Sequence, residues 1–221
     1  MTKIKSLLKK SAQALGIYHP VRNMLKASRE KRELREWQEQ GKPVPPPHIV
    51  KQSAILEYAK ECNCETLVET GTYIGDMVAA MVGDFQTIHT IELDTALFRS
   101  ARKRFKNRPN VRLYQGDSGV VINEVLSVIG KSPGRVVFWL DGHDSGGVTA
   151  HSECPLVKEV RTILSNRPQD VVLIDDFHLF GVADDYPTVE EVEDIVGNLS
   201  PNSKVLVENN ILRIFPASLD Q

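Results

Sequence analysis

The stretch Val68-Glu69-Thr70-Gly71-Thr72-Tyr73-Ile74-Gly75-Asp76 decides the fold of this chain. An apolar run leads into it at residues 66–68 and a helix-like segment follows at 77–82, so the order is strand, glycine turn, helix. A glycine turn lets the backbone approach a ligand closely, and the next helix presents unpaired N–H groups to it. The G-x-x-x-G spacing matches neither the dinucleotide fingerprint G-x-G-x-x-G nor the phosphate loop G-x-x-x-x-G-K. The turn therefore predicts a site for a nucleoside-like ligand without a pyrophosphate.

Composition excludes several classes of protein. The chain has 221 residues and a formal net charge of −2, which gives no overall case for nucleic-acid binding. Its length suits one α/β domain plus an appendage. No run approaches the roughly 18 apolar residues of a membrane span, and the N-terminus lacks the apolar core of a signal peptide. The three cysteines, Cys62, Cys64 and Cys154, form no framework and indicate a reducing compartment, so we expect a cytoplasmic protein.

The N-terminal part of the chain differs from the rest. Residues 1–35 hold ten Lys/Arg against two Glu, and their apolar residues recur on one helical face. Such a basic helix packs on the main domain or on a second subunit, and the alternative is contact with an anionic membrane surface. Prolines over residues 43–47 then form a stiff linker. The predicted domains are a basic helical extension with its linker at 1–47 and a main domain at 48–221, and a homodimer through the extension stays open.

From residue 65 onward, short apolar runs alternate with helical segments. The predicted strands are 65–70, 87–93, 111–115, 136–140, 171–174, 204–207 and 211–215, and the helices between them are 76–83, 96–106, 120–129, 155–164 and 189–199. Five strand–helix repeats imply a parallel sheet with helices on both faces. The Asn209-Asn210 pair between the last two runs predicts a hairpin. The predicted fold is therefore α/β, with a mostly parallel sheet whose last strand is antiparallel.

Each of the five parallel strands ends in an acid. In chain order these acids are Glu69, Glu92, Asp117, Asp141 and the pair Asp175-Asp176. Ligands of open α/β sheets bind beyond the carboxyl ends of the strands. Glu92 follows the glycine turn by about twenty residues, where an acid accepts hydrogen bonds from ribose hydroxyls, and Asp94 is better placed to cap the next helix. Asp117 stands where an adenine amino group could be recognised, and the alternative is an N-cap.

The ends of the fourth and fifth strands bring a second group of acids together, Asp141, Asp175 and Asp176. Neighbouring strands lie about 4.8 Å apart. Like charges that close raise one another's pKa unless a cation sits between them, and an all-oxygen set suits Mg²⁺, Mn²⁺ or Ca²⁺. The alternative is that Asp176 caps a loop and Asp141 holds a substrate by hydrogen bonds. His143 and Asp144 follow as rival general bases for a substrate hydroxyl.

These motifs together resemble class I S-adenosylmethionine-dependent methyltransferases. Residues 68–75 are similar to the first motif of that class, in the E-x-G-x-x-x-G form of metal-dependent O-methyltransferases such as catechol O-methyltransferase and the macrocin-type sugar enzymes. Ile91-Glu92-Leu93-Asp94 resembles the ribose-binding motif, and Gln115-Gly116-Asp117-Ser118 resembles the adenine-side motif. Leu140-Asp141-Gly142 and Ile174-Asp175-Asp176 resemble the two metal-binding strand ends.

The resemblance covers residues 48–216 and implies a Rossmann-like seven-stranded sheet. It also implies S-adenosylmethionine as cofactor and a divalent metal, Mg²⁺ or Mn²⁺, held by the second group of acids. The cofactor contacts that it implies are Glu69, Gly71, Thr72, Gly75, Glu92, Asp117, Ser118 and Asp141. Lys51 and His48 stand where such enzymes close over the cofactor, and the alternative is a linker and a helix start.

The chain also departs from the sugar enzymes. They have D-G-D after the fourth strand, whereas this chain has Asp141-Gly142-His143, so the base stays open between His143 and Asp144, with Asp141 also in the catalytic set. Residues 139–150 look more like a group of uncharacterised bacterial methyltransferase-like proteins. The resulting hypothesis is metal-assisted O-methylation of a small polar, sugar-like substrate. The rivals are a non-catalytic nucleoside-binding protein and an NAD(P)-dependent oxidoreductase, which the absence of G-x-G-x-x-G disfavours.

Overall fold

The computed structural model describes residues 18–130, 134–141, 155–183 and 186–220, with side chains from residue 27 to residue 218 within these ranges. Contacts within the chain divide it into two compact units, residues 1–50 and residues 51–221. None of the helices in the described ranges is long and apolar enough to cross a membrane.

The first unit contains a long helix, α1 (Tyr18–Glu39), and the proline segment after it. Most side chains from residue 29 to residue 40 are exposed, as expected for a solvated helix, but Trp37 is buried. Its indole N–H donates to the carbonyl of Pro43 at 2.8 Å, and the amide of Lys42 donates to the carbonyl of Trp37 at 2.9 Å. The start of the proline segment is therefore tied to the end of α1.

The second unit is an α/β sandwich built on one sheet. Its strands are β1 (Thr66–Thr70), β2 (Thr87–Glu92), β3 (Val111–Gln115), β4 (Val136–Leu140), β5 (Val171–Ile174), β6 (Ser203–Glu208) and β7 (Ile211–Pro216). Its helices are α2 (His48–Glu61, which begins in the first unit), α3 (Asp76–Met81), α4 (Thr95–Phe105), α5 (Ser118–Ile129), α6 (Pro155–Asn166) and α7 (Val189–Leu199). The strand order is β3-β2-β1-β4-β5-β7-β6, and β7 runs antiparallel to both of its neighbours.

The predicted fold class is confirmed. The observed bounds of the strands, and of the helices between them, differ from the predicted bounds by at most two residues. The two asparagines of the last hairpin have φ of +53° and +65°. Both lie in the left-handed region that a two-residue hairpin turn of type I′ requires. The hairpin prediction is therefore also correct.

The pleat of the sheet decides which side chains meet at its edge. Helices α2, α3 and α4 pack on one face, and α5, α6 and α7 pack on the other. Leu67 belongs to the first core and Val68 to the second. Since side chains alternate along a strand, Glu69 faces the α2–α4 layer and Thr70 faces the α5–α7 layer. The same alternation puts Asp141 and Asp175 on the α2 side.

Candidate functional site at the carboxyl ends of the strands

The glycine turn after β1 is held between the ends of two other strands. Gly71 has φ of +88°, and a Cβ added there would lie 2.4 Å from the backbone oxygen of Asp141. The amides of Gly71 and Thr72 both donate to the carbonyl of Ile91, at 3.0 and 3.1 Å. Glycine is therefore required here by close contact with the end of β4, a reason that the local sequence could not reveal.

The second glycine of the motif serves helix packing. Gly75 is buried with φ of +79°, and a Cβ added there would lie 2.7 Å from the ring of Phe105 in α4. A glycine at this position lets α3 begin against α4. The contact of Gly75 with a cofactor stays a prediction.

Glu92 at the end of β2 ties the glycine turn to its own strand. It is 3% exposed, and its carboxylate accepts the amide of Tyr73 at 2.7 Å and the amide of Asp94 at 2.8 Å. Asp94 in turn caps α4 by accepting the amides of Ala96 and Leu97, as the sequence predicted. A carboxylate has about four lone-pair sites. The two amides use two of these sites, and the contact of Glu92 with a ribose stays a prediction.

A buried chain of polar side chains lies beneath the turn. The Thr90 hydroxyl donates to Glu69 at 2.5 Å, and the hydroxyls of Thr72 and Thr90 are 2.6 Å apart. Burial raises the pKa of Glu69 to about 8; the bond from Thr90 opposes the shift, and the nearby Asp141 and Glu92 add to it. The side chains of Glu69 and Thr72 are thus engaged inside the protein, and their predicted contacts with a cofactor stay predictions.

Asp117 caps the helix that follows it. Its carboxylate accepts the amide of Gly119 at 2.9 Å, which is the N-cap that the sequence left open as an alternative. The Gly116 amide donates to the carbonyl of Glu92 at 3.0 Å, so the turns after β2 and β3 are adjacent. A cap uses one carboxylate oxygen, and the adenine contact of Asp117 stays a prediction.

Glu159 of α6 is a site residue that the sequence analysis missed. It is fully buried, accepts the Thr70 hydroxyl at 3.3 Å and is hydrogen-bonded to Ser118. Burial raises its pKa to about 7, and the bonds to Ser118 and Thr70 oppose the shift. Glu159 thereby links the turn after β1 to the turn after β3. The available signal was an acid on the apolar stripe of a helix, three residues after Leu156 and four before Ile163.

The second group of acids comes together as predicted. Carboxylate oxygens of Asp141, Asp175 and Asp176 all lie within 4.8 Å of one another, at the ends of the paired strands β4 and β5. Asp176 has φ of +53°, an unusual backbone state for a residue other than glycine. Burial raises the pKa of Asp175, Lys51 opposes that shift, and Asp176 adds to it. An all-oxygen set of this kind fits a hard divalent cation.

A lysine reaches the same acids. Lys51 of α2 forms an ion pair with Asp175, with side chains that are 14% and 1% exposed. Burial alone would lower the pKa of Lys51, but attraction to Asp175 and the hydrogen bond with it, helped by Asp141 and Asp176, raise it overall. The sequence analysis argued that these acids need a nearby cation, and Lys51 supplies part of that positive charge. Lys51, predicted to contact the cofactor, is found at the predicted metal site.

The two rival bases cannot be placed in this geometry, whereas two other histidines can. His143 and Asp144, the rival bases, lie outside the described residues, as does Cys154. His48 is the first residue of α2. His178 is exposed, with Nδ1 at 3.1 Å from Asn210 Oδ1 and 3.9 Å from Asp176 Oδ1.

Tyr73 is a second residue that the sequence analysis did not single out for function. It follows Gly71 and Thr72, has φ of +49° and is 61% exposed. Strained backbone of this kind clusters at functional sites. The turn therefore presents an aromatic side chain at the edge where the predicted cofactor contacts lie.

Comparison with known structures agrees with this architecture. The SAH-bound methyltransferase PaMTH1 of Podospora anserina is 17% identical, over 89% of this chain and 95% of that chain, with a TM-score of 0.54. A candidate caffeoyl-CoA O-methyltransferase from Staphylococcus aureus is 16% identical, over 87% and 96%, with a TM-score of 0.55. The O-methyltransferase TomG of Streptomyces achromogenes, involved in tomaymycin synthesis and solved with SAM, is 16% identical, over 85% and 89%, with a TM-score of 0.50.

No protein-family model matches the sequence, and no curated protein matches it. At the low identities of the solved structures, the likeness establishes the fold and leaves the activity to be argued from the site. The chain has the fold of class I S-adenosylmethionine-dependent methyltransferases.

Proposed function

We propose that this chain is an S-adenosylmethionine-dependent methyltransferase that methylates a hydroxyl of a small polar, sugar-like substrate with the help of a divalent metal. The observation that carries the proposal is one edge of a methyltransferase-type sheet on which the Gly71 turn, Glu92 and Asp117 lie on consecutive neighbouring strands. This is the order in which the amino-acid end, the ribose and the adenine of the cofactor would follow one another.

The chain would bind the cofactor through groups that its own hydrogen bonds already hold in position. Glu92 is positioned by two backbone amides and offers its remaining lone pairs to the ribose. Gly71 is exposed, so the backbone of the turn is accessible to a ligand. Methyl transfer is an in-line displacement at a carbon on a cationic sulfur, so the protein contributes mainly by positioning the two partners.

The metal part of the proposal depends on Asp141, Asp175 and Asp176. Their oxygens are close enough to share one ion, and they are the donors that Mg²⁺ and Mn²⁺ prefer. When bound, such an ion lowers the pKa of a substrate hydroxyl and orients it. His143 or Asp144 would accept the proton.

Two variants test the catalytic part. We expect Asp141→Ala and Asp175→Ala each to abolish SAH release on a panel of catechol and sugar acceptors, while SAM affinity measured by calorimetry survives in Asp175→Ala. Glu124→Ala, on the exposed face of α5, is the control and should retain activity. Full activity of both aspartate variants in the presence of a chelator would show that the metal mechanism is wrong.

The Lys51–Asp175 ion pair favours a second candidate, a SAM-binding protein without catalysis. In that case Lys51 would offset the negative charge of the acids and stabilise the fold, and no metal would be needed. Calorimetry with SAM, SAH and Mg²⁺ separates the two candidates. SAM affinity without any Mg²⁺ binding would favour the non-catalytic protein.

A further inference from the structure

The acids at the ends of β4 and β5 already have a positively charged side chain of the protein, Lys51, beside them. Asp175 and Asp176 are each 2% exposed, and together with Asp141 they would concentrate three negative charges within a few ångströms. Burying like charges side by side is costly unless opposite charge is near. The Lys51 ammonium supplies one positive charge through its ion pair with Asp175, and it is also attracted by Asp141 and Asp176.

The position of Lys51 follows from the fold. Lys51 lies in the first turn of α2, which packs on the face of the sheet toward which Asp141 and Asp175 point. The ion pair joins residues that are 124 positions apart in sequence. With Lys51 largely buried, the pair is shielded from water and from dissolved salt more than a surface pair would be.

We propose that Lys51 is the built-in counterion of this acid cluster and competes with a divalent cation for Asp175, so that it sets the affinity of the site for metal. The inference deepens the proposed function and relies on its assignment of the three aspartates to metal binding. An ion bound to the Asp175 oxygen that accepts the ammonium would lie close to the positive charge of Lys51, and the two charges would repel each other. With Lys51 present the four groups carry a net charge of −2, and without it −3. Metal entry therefore displaces the ammonium from Asp175.

The test measures Mn²⁺ binding to the full chain by calorimetry, with no cofactor or substrate present. Lys51→Met removes the charge and keeps much of the length of the side chain. We expect its affinity for Mn²⁺ to exceed that of the wild type by about tenfold or more, because the ion no longer meets a positive charge at contact distance. Lys51→Arg keeps the charge and should stay within about threefold of the wild type. Lys60→Met, on the exposed end of the same helix, is the matched control and should also stay near the wild type.

A second measurement uses the wild type alone, so that it stands even if Lys51→Met does not fold. The reactivity of the Lys51 amine with a small acylating reagent, followed by peptide mass spectrometry, should rise several-fold on addition of Mn²⁺, while that of Lys60 should not change. Equal Mn²⁺ affinity of Lys51→Met and wild type, or weaker affinity in the variant, would overturn the inference. So would a Lys51 reactivity that Mn²⁺ leaves unchanged.

The outcomes also separate this inference from the proposed function. Tighter Mn²⁺ binding in Lys51→Met with no SAM affinity in any variant would support the inference and count against the methyltransferase. SAM affinity together with equal Mn²⁺ affinity in Lys51→Met and wild type would overturn only the inference and leave the proposed function standing. Absence of Mn²⁺ binding in every variant would overturn the inference and the metal part of the proposal together.

Discussion

At the scale of single residues, the site depends on side chains whose roles come from their burial. Glu69 illustrates this, since its sequence motif implied a contact with the cofactor, and the structure places it in a buried chain with Thr90 and Thr72. A buried carboxyl has a different proton affinity from an exposed one. This gives a prediction for stability that is independent of any ligand.

Glu69→Gln should change the dependence of stability on pH. Its pKa is raised from 4.5 to about 8 in the folded protein, so the folded state binds the proton more tightly than the unfolded state. The stability from this group is fully present below about pH 4.5 and is lost as the pH rises through about 8. Glutamine stays neutral at every pH. The free energy of unfolding of the variant, relative to that of the wild type, should therefore increase by on the order of 3 kcal/mol as the pH rises from about 5 to about 9.

Urea unfolding at a series of pH values measures this difference. Glu65→Gln, an exposed acid just before β1, is the control and should follow the wild type. Parallel curves for wild type and Glu69→Gln would show that Glu69 does not take up a proton on folding.

Gly71→Ala should be strongly destabilising. The new Cβ would lie 2.4 Å from the backbone oxygen of Asp141, and the residue would have to hold φ of +88°. We expect a loss of about 2 to 4 kcal/mol in the free energy of unfolding, because backbone cannot move as easily as a side-chain end. Gly83→Ala is the control, since a Cβ there meets nothing within 4 Å, and it should change stability by about 0.5 kcal/mol or less. Equal effects of both variants in chemical unfolding would contradict the close contact.

At the scale of elements, the sequence predicted the strands, the helices and the hairpin well, because each has its own local pattern. The apolar runs of β4 and β5 identify fully buried parallel strands, and Asn209-Asn210 identifies the turn. Contacts between elements have no such local signal. Lys51 and Asp175 meet only because α2 packs on a particular face of the sheet, and that choice of face is a property of the whole fold.

Glu159 shows what an element contributes to the site. As the link between α6, the end of β1 and the start of α5, it should be needed for both stability and cofactor affinity. Glu159→Ala leaves Thr70 and Ser118 without their buried acceptor and opens a cavity, so we expect a loss of about 2 to 4 kcal/mol and weaker SAM binding. Glu159→Gln keeps an acceptor oxygen and should lose about 1 kcal/mol.

Chemical unfolding and SAM calorimetry on both variants test this link. Glu193→Ala, an exposed acid on α7, is the control and should be neutral in both measurements. Unchanged SAM affinity in a destabilised but folded Glu159→Ala protein would restrict Glu159 to a structural role.

At the scale of the whole molecule, the sheet order explains why acids far apart in sequence share one edge. Parallel strands β1 to β5 all end on the same side, and each ends in an acid, so a rim of carboxylates follows directly from the topology. The sequence could predict this rim because parallel strands are inferred from strand–helix repeats. The sequence offered the Asp117 cap as an alternative. It could not predict the bonds of Glu92 to two amides or the ion pair of Asp175. The partners of the basic N-terminal segment and its proposed membrane or dimer contact stay predictions.

The most direct test of the account is calorimetry of the full chain with SAM, with Glu92→Gln as the variant and Glu124→Gln as its exposed control. We predict that SAM binds at one site per chain, that NAD⁺ gives no binding, and that Glu92→Gln weakens SAM affinity by about tenfold or more through loss of charged hydrogen bonds to the ribose while the protein remains folded. Absence of SAM binding by the wild type, or equal SAM affinity in a folded Glu92→Gln protein, would contradict the assignment of this strand edge as a SAM site.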